Sequence, residues 1–188
     1  LEVLVVEKEA RYGGTTARSG GWLWIPGTRL ATEQGIQEPP GAAKAYLKHE
    51  ATTHFNEKRV DAFIENGPKA IDFFTRNSCV QFDMPAVFPD YHAEATGGQP
   101  GGRSMVTRPF DGRELGSRIK QLAPPLPELT VFGMMLGSGP EIRHFMRAFK
   151  SLTSFIYVAK RLSKHFLDVL LHGRGMTLTN GNALAGRL

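Results

Sequence analysis

Apolar and polar positions alternate with more than one period along this chain, and each period predicts a different element. Val3 to Val6 is an unbroken run of aliphatic residues, the pattern of a strand buried on both faces of a parallel sheet, which needs helices above and below it. "WLWIP", from Trp22 to Pro26, reads as a short extended piece stopped by Pro26 and Gly27. From Pro39 the pattern turns helical: Ala43, Tyr46 and Leu47 share a face, then Val60, Phe63 and Ile64, then Ile71, Phe73 and Phe74. Gly67 and Pro68 are expected to separate the last two groups, because proline suits a first helical turn and disrupts a helix interior. Between Asp83 and Pro140, seven prolines (Pro85, Pro89, Pro100, Pro109, Pro124, Pro125 and Pro127) and the cluster Gly97, Gly98, Gly101 and Gly102 break every period. Phe82, Phe88, Tyr91 and Phe110 in this stretch argue for ordered loops packed over something, since disordered segments are poor in aromatic residues.

The longest periodic segment is read as one helix over 141–172. Ile142, Phe145, Phe149, Leu152, Ile156, Ala159, Leu162, Phe166 and Leu170 form a stripe expected to face a core. Glu141 at its start and His172 with Gly173 at its end suit the helix dipole and a glycine stop. Met176 to Leu178 is strand-like, and Asn180 or Asn182 is placed to cap a final helix.

Composition narrows the function classes. A chain of 188 residues is ordinarily one domain, or one and a fragment. No apolar run approaches the roughly 18 residues that a spanning helix requires, so no integral membrane segment is expected. The first residue is Leu, a strand-like run follows at once, and no secretory peptide is visible, so the start reads as truncated. A single cysteine, Cys79, forms no internal disulfide, which points to a reducing compartment and a cytoplasmic location. The net charge is +5, but the basic residues are scattered, so a nucleic-acid partner is not expected, and an anionic cofactor accounts for the balance equally well. Arg143, Arg147, Lys150, Lys160, Arg161 and Lys164 make one face of the long helix basic; this is either a solvated face or a peripheral contact with an anionic membrane surface. His49, His54, His144, His165 and His172 have no carboxylate or cysteine at ligand spacing, so no metal site is expected.

The candidate chemistry lies at the start, in "VVEKEARYGGTTARSGGWLWIP". In dinucleotide-binding βαβ units an acid ending the second strand bonds the adenosine ribose, about 20 residues after a glycine fingerprint that holds the pyrophosphate. Glu7 stands where that acid belongs. Beyond it, Gly13, Gly14, Gly20 and Gly21 let the backbone approach a bulky planar ligand and offer amide donors, and Thr15, Thr16 and Ser19 add hydroxyls. That combination suits an extended dinucleotide such as FAD. Taken singly, each has a plainer explanation: a strand-terminal acid is most often solvated, and glycine pairs most often serve turns.

The full string "VLVVEKEARYGGTTARSGGWLWIPG" closely resembles the segment after the glycine fingerprint in flavoproteins related to fumarate reductase, most closely the 3-ketosteroid Δ1-dehydrogenase branch. The likeness continues through "FPDYHAEATGG", "GRS", "FGMMLGSG" and "LLHGRGMTLTNGNALAGRL", so it covers essentially the whole chain. It implies an α/β fold: a partial Rossmann-like FAD-binding domain starting at its second strand, with a large, mainly helical and loop insertion. The expected division is residues 1–35 for that strand and the flavin-contacting loop, 36–172 for the insertion, and 173–188 for a return strand and the start of a helix. It further implies FAD as cofactor, with Glu7, Lys8, Gly14, Thr15, Thr16, Ser19, Gly20 and Gly21 contacting it.

The implied reaction is a dehydrogenation of a CH–CH bond. A base removes the C2 proton of a 3-ketosteroid, a small hydrophobic substrate, and hydride passes from C1 to flavin N5, with an external electron acceptor following. Tyr91, in "PDYH", matches the tyrosine supplied by the flavin-binding domain and is read as a partner in the proton relay rather than the primary base. Without the resemblance, Tyr91 reads as a loop aromatic with a wet hydroxyl, and His92 beside it as the acid or base a bare search would choose. Neighbours in an extended segment point opposite ways, so one of the two faces the substrate, and the resemblance favours Tyr91. The upstream fingerprint, the downstream tyrosines and the substrate-capping domain of that family are missing, so the chain alone is expected to be inactive and to hold FAD weakly. The alternatives are a fumarate-reductase-like flavoprotein acting on another unsaturated acid or ketone, and a non-catalytic protein that binds a membrane through its basic helix.

Overall fold

The computed structural model describes residues 2, 4, 6–85, 87–137 and 140–188. In chain order the elements are α1 (Gly14–Arg18), β1 (Trp22–Trp24), α2 (Arg29–Glu33), α3 (Ala42–Ala51), α4 (Glu57–Asn77), β2 (Phe82–Asp83), β3 (Ser104–Thr107) and β4 (Phe110–Asp111). A kinked 3-10 segment, Gly112–Gln121, leads on to β5 (Thr130–Val131), β6 (Met134–Met135), α5 (Pro140–Met146), α6 (Leu152–His172), β7 (Thr177–Leu178) and α7 (Asn180–Arg187). Helices and strands are mixed, and the chain divides into two compact units: Trp22–Val106, and the residues up to Gly21 together with Thr107–Leu188.

In the unit Trp22–Val106, a small sheet in the order β1-β3-β2 carries the extended piece expected at "WLW", with Trp22 opposite Val106 and Trp24 opposite Ser104 in antiparallel register. Every residue of β3 is buried. Its predecessor Arg103 is fully buried too: it bonds both oxygens of Glu38 (Nη2–Oε1 2.6 Å, Nε–Oε2 3.0 Å), Asp90 (2.6 Å) and the Gly97 carbonyl (2.8 Å). Its guanidinium also lies over the rings of Trp24 and Tyr46, at 5.3 and 5.5 Å. A buried guanidinium is tolerable only when its charge is paired and its nitrogens are hydrogen-bonded, and here two carboxylates face it and each of its three nitrogens has an acceptor.

α4 corrects one expectation. It runs through Gly67 and Pro68 as a single helix, capped by Asn56, whose side chain accepts from the Arg59 amide (3.1 Å). Pro68 removes one intrahelical bond, but Gly67 faces Ile25 so closely that a Cβ there would stand 3.0 Å from its methyl, and that packing holds the helix on course.

In the other unit the core joins Ala17, Phe110, Ile119, Leu122, Ala123, Met176, Leu178, Ala183 and Ala185. β4 pairs antiparallel with β7, which confirms the strand expected at Met176–Leu178. β5 and β6 form a hairpin whose two turn residues, Phe132 and Gly133, both have positive φ (52° and 78°), the geometry of a turn that matches strand twist. Tyr12 joins Leu122 through a parallel bridge.

Two further expectations are corrected in this unit, and a third falls partly outside the described residues. The strand expected at Val3–Val6 falls in part outside the described residues, which exclude Val3 and Val5; Leu4 and Val6 are exposed. The helix over 141–172 is two helices, α5 and α6, with Ser151 capping the second. Glu141 bonds Arg161 Nε at 2.5 Å, yet 20 residues of one straight helix would hold them about 30 Å apart, so the chain must fold back. The apolar stripe does not face a core: Leu152, Ile156, Phe166 and Leu170 are exposed, and Ser154, His165 and Asp168 are the buried residues of α6. Periodicity marks the face that favours burial but supplies no layer to cover it. α6 is held instead by polar bonds, from His165 to the Phe132 carbonyl (2.9 Å) and from the Met176 amide to Asp168 (3.3 Å). Its stop at Gly173, with φ of 74°, is as expected. No helix among the described residues is long and apolar enough to cross a membrane.

Candidate functional site

The glycine-rich segment is built from an exposed face and a buried one. Gly13 and Gly14 both have positive φ (113° and 50°), which turns the chain sharply into the five-residue helix α1. A Cβ on Gly13 would press Ala17 at 2.6 Å, whereas one on Gly14 would meet nothing within 4 Å. Gly14 therefore borders open space, and its glycine is required by conformation alone. Gly14, Thr15 and Thr16 are exposed, and the first amides of a helix have no intrahelical acceptor; Gly13 offers no side chain to cap them. Ala17, on the opposite face, is fully buried and anchors the helix.

Ser19 plays a narrower part than its sequence position suggests. Its hydroxyl donates to the Thr16 carbonyl (2.9 Å) and accepts from the Gly21 amide (3.1 Å), so its one proton is engaged within the turn. Gly20 is exposed, and Gly21 is buried with φ of 67°. A Cβ on Gly21 would stand 2.3 Å from the backbone of Asn180 and Gly181, and one on Gly181 would stand 1.9 Å from the Thr16 carbonyl oxygen. The start of α7 and the α1 turn thus interlock backbone to backbone. Neither Asn180 nor Asn182 caps α7; Thr179 occupies that position, while Asn180 Nδ2 bonds the Leu136 carbonyl (2.8 Å) and Asn182 is buried beneath α1. Glu7 and Lys8 are exposed ahead of this segment, and Glu7 Oε1 accepts from the Glu9 amide (3.0 Å), engaging one of its two oxygens.

Beside the interlock, in the same unit, lies a cavity of about 590 Å³ whose walls include Arg11, Lys120, Phe132, Met135, Arg174 and Asn182. That volume suits a sizeable small-molecule group. Its lining residues include no carboxylate. Burial, with repulsion from Arg11, lowers the pKa of the Arg174 guanidinium below its usual value, so an anion nearby would be welcome. Exposed amide and hydroxyl donors on α1 and small residues where backbone must come close fit an anionic dinucleotide, while none of Glu7, Lys8, Gly14, Thr15, Thr16, Ser19, Gly20 and Gly21 lines the cationic cavity. In the sequence Asn182 reads only as a candidate helix cap, and Arg174 carries no signal of its own.

Tyr91 belongs to the other unit, in a turn directly after Asp90, and is 97% exposed. Asp90 holds the base of that turn: Oδ1 accepts from Trp24 Nε1 (2.7 Å), and Oδ2 from the Gln99 amide (2.9 Å) and from Arg103. Gly97, with φ of 80°, presses this loop onto α3 so tightly that a Cβ would stand 2.2 Å from the Ala42 carbonyl. His92 turns aside to Glu50, with Nδ1 at 2.8 Å from Oε1, and its amide donates to the Tyr46 hydroxyl (3.4 Å). Tyr91 is left projecting from a locked base.

The hydrogen bond from His92, aided by that from His49, holds the Glu50 carboxyl below its ordinary value of 4.5. A depressed carboxylate contributes stability that is present above its ordinary value and lost as pH falls through the depressed one. An NMR titration of Glu50 is expected to give a midpoint below 4.5, moving up in His92→Ala. A midpoint that ignores His92→Ala would refute the pairing.

The model of the FAD binding domain family matches residues 1–188. A 4-oxocyclohex-2-ene-1-carboxylate 5-dehydrogenase of Sinomonas cyclohexanicum is 39% identical over 184 residues, which is 98% of this chain and 31% of that protein. A 3-oxosteroid 1-dehydrogenase of Mycobacterium tuberculosis is 38% identical over 124 residues, 66% of this chain and 22% of that one. Among solved structures, the 3-ketosteroid Δ1-dehydrogenase of Sterolibacterium denitrificans, in complex with 1,4-androstadiene-3,17-dione, superposes with a TM-score of 0.81 at 29% identity, over 98% of this chain and 33% of that one. The chain spans about a third or less of the length of the proteins it matches.

Proposed function

Because the chain belongs to the FAD binding domain family, we propose that it forms the cofactor-contacting part of a flavin-dependent dehydrogenase that desaturates a cyclic ketone beside its carbonyl, a 3-ketosteroid at C1–C2 in the first reading. The observation that carries this is the α1 turn, open at Gly14, Thr15 and Thr16 and locked from behind by α7. FAD, the cofactor of the family, supplies a two-electron acceptor when bound. Glu7 and Lys8 serve the ribose end, and the amides and hydroxyls of Gly14, Thr15 and Thr16 bind the pyrophosphate. Ser19, Gly20 and Gly21 shape the backbone for close approach to the flavin. The fold is proposed to be a partial Rossmann-like domain carrying a helical and loop insertion, a reading the family match supports.

The chemistry asks for one more group. A proton alpha to a ketone leaves readily only when the base and the donors to the developing oxyanion are positioned beforehand. An ordinary tyrosine, with a pKa of about 10, is a poor base but a competent relay member. Tyr91 is proposed to pass the proton at its hydroxyl oxygen, the locked base at Asp90 keeping it in place. The relative in Sinomonas cyclohexanicum, aligned over nearly the whole chain, favours a second reading: a six-membered ring ketone carrying a carboxylate. A steroid site is apolar with few polar contacts, whereas a carboxylate substrate needs a cationic or polar partner.

In a protein extended by the native upstream and downstream coding sequence, FAD is expected to co-purify and 3-ketosteroids to reduce an artificial acceptor. Tyr91→Phe should lower kcat by about a hundredfold, the lower end for a lost proton-transfer group. Turnover of 4-oxocyclohexene carboxylates without steroid turnover would select the second reading, and an unchanged kcat in Tyr91→Phe would remove that residue from the mechanism.

A further inference from the structure

Asn182 is a buried amide with no part in the chemistry above, and it meets three groups at once. Its Nδ2 donates to the carbonyls of Ala17 (3.2 Å) and Ala123 (2.7 Å), and its Oδ1 accepts from Arg174 Nη2 (3.2 Å). Arg174 in turn donates through Nη1 to the carbonyls of Ile119 (3.1 Å) and Leu122 (3.2 Å). Ala17 lies in the last turn of α1, where carbonyls lack intrahelical partners, so the bond from Asn182 completes the helix end. Two acceptors and a donor converging on one buried point match the two N–H donors and one carbonyl oxygen of a primary amide. A carboxylate there would set its acceptors against two carbonyls.

We propose that Asn182, oriented by Arg174, is a positioning residue that fixes α1 and thereby the donors of Gly14, Thr15 and Thr16 for FAD. This rests on the reading that the α1 segment contacts the cofactor. Asn182 acts on α1 through the Ala17 carbonyl.

The test uses the protein extended by its native upstream and downstream coding sequence, with Asn182→Ser, which keeps one hydroxyl donor, and Arg174→Gln, which acts on Asn182 from a less buried position. FAD affinity is read by flavin fluorescence, and hydrogen exchange is followed peptide by peptide. Asn182→Ser is expected to weaken FAD binding about tenfold, the scale of one buried hydrogen bond, with Arg174→Gln shifted the same way by less. Exchange should quicken in residues 13–21 and stay at the wild-type rate in α4. Wild-type affinity in both variants, or exchange raised equally in α4, would overturn the proposal, since a merely structural role loosens the whole chain. An extended wild-type protein that takes up no FAD overturns the flavin reading and the cofactor half of this inference, while the exchange measurement still decides whether Asn182 holds α1.

Discussion

Gly181→Ala is expected to destabilise the chain by about 3 kcal/mol, at the upper end of the range for overpacking a tight site. Propensity alone argues the other way, because alanine is favoured over glycine in a helix interior by roughly 1 kcal/mol. The clash decides. The added methyl would stand 1.9 Å from the Thr16 carbonyl oxygen and 2.6 Å from Ser19 Oγ. Thr16 presents backbone there, so relief requires α1 and α7 to part, and the core at Ala17 and Ala183 opens with them. FAD affinity should fall in parallel. Gly14→Ala is the informative comparison: with φ of 50° and nothing within 4 Å, it costs only the backbone strain of about 1 kcal/mol. Its methyl nevertheless stands on the open face, so it should lower FAD affinity more than it lowers stability. Urea midpoints and FAD titrations of both variants check this; a Gly181→Ala midpoint equal to that of the wild type would show that the interlock is not tight.

Arg103→Met should cost as much or more, about 3 to 5 kcal/mol, the range for breaking a buried ion pair by removing one partner. The side chain of Asp90 is 2% exposed, so the charge left behind has little water to solvate it. Glu38 loses both of its bonds to the guanidinium, and the stacked faces of Trp24 and Tyr46 lose their cation. The double variant Arg103→Met with Asp90→Asn should recover part of the loss, since the two positions share one network and their effects do not add. Because Asp90 sets the base of the Tyr91 turn, the single variant should also depress turnover in the extended protein. A loss below about 1 kcal/mol in chemical denaturation would mean that water reaches the pair and that its burial counts for little.

Much of the α1 segment was legible from residue types. Paired glycines followed by threonines select left-handed turns and free donors whatever surrounds them, and Gly13 and Gly14 adopt that geometry. Helix ends were also readable where chemistry is local, as at Glu141 and at Gly173. Errors arose where the outcome depended on a remote partner. Pro68 argued for a break, and the fit of Gly67 against Ile25 overruled it. The stripe of α6 promised a core, and polar bonds from His165 and Asp168 turned it outward.

By itself, the sequence determined the family and the cofactor class and pointed to the segment proposed to carry the donors, because these depend on residue type and spacing within a few turns of chain. Only the tertiary structure decided that Asn182 and Arg174 stand behind that segment and that Arg103 locks the base of the Tyr91 turn. The physical reason is that a buried polar group must find its partners across distances of sequence that no period encodes; Asn182 reaches a carbonyl 165 positions away.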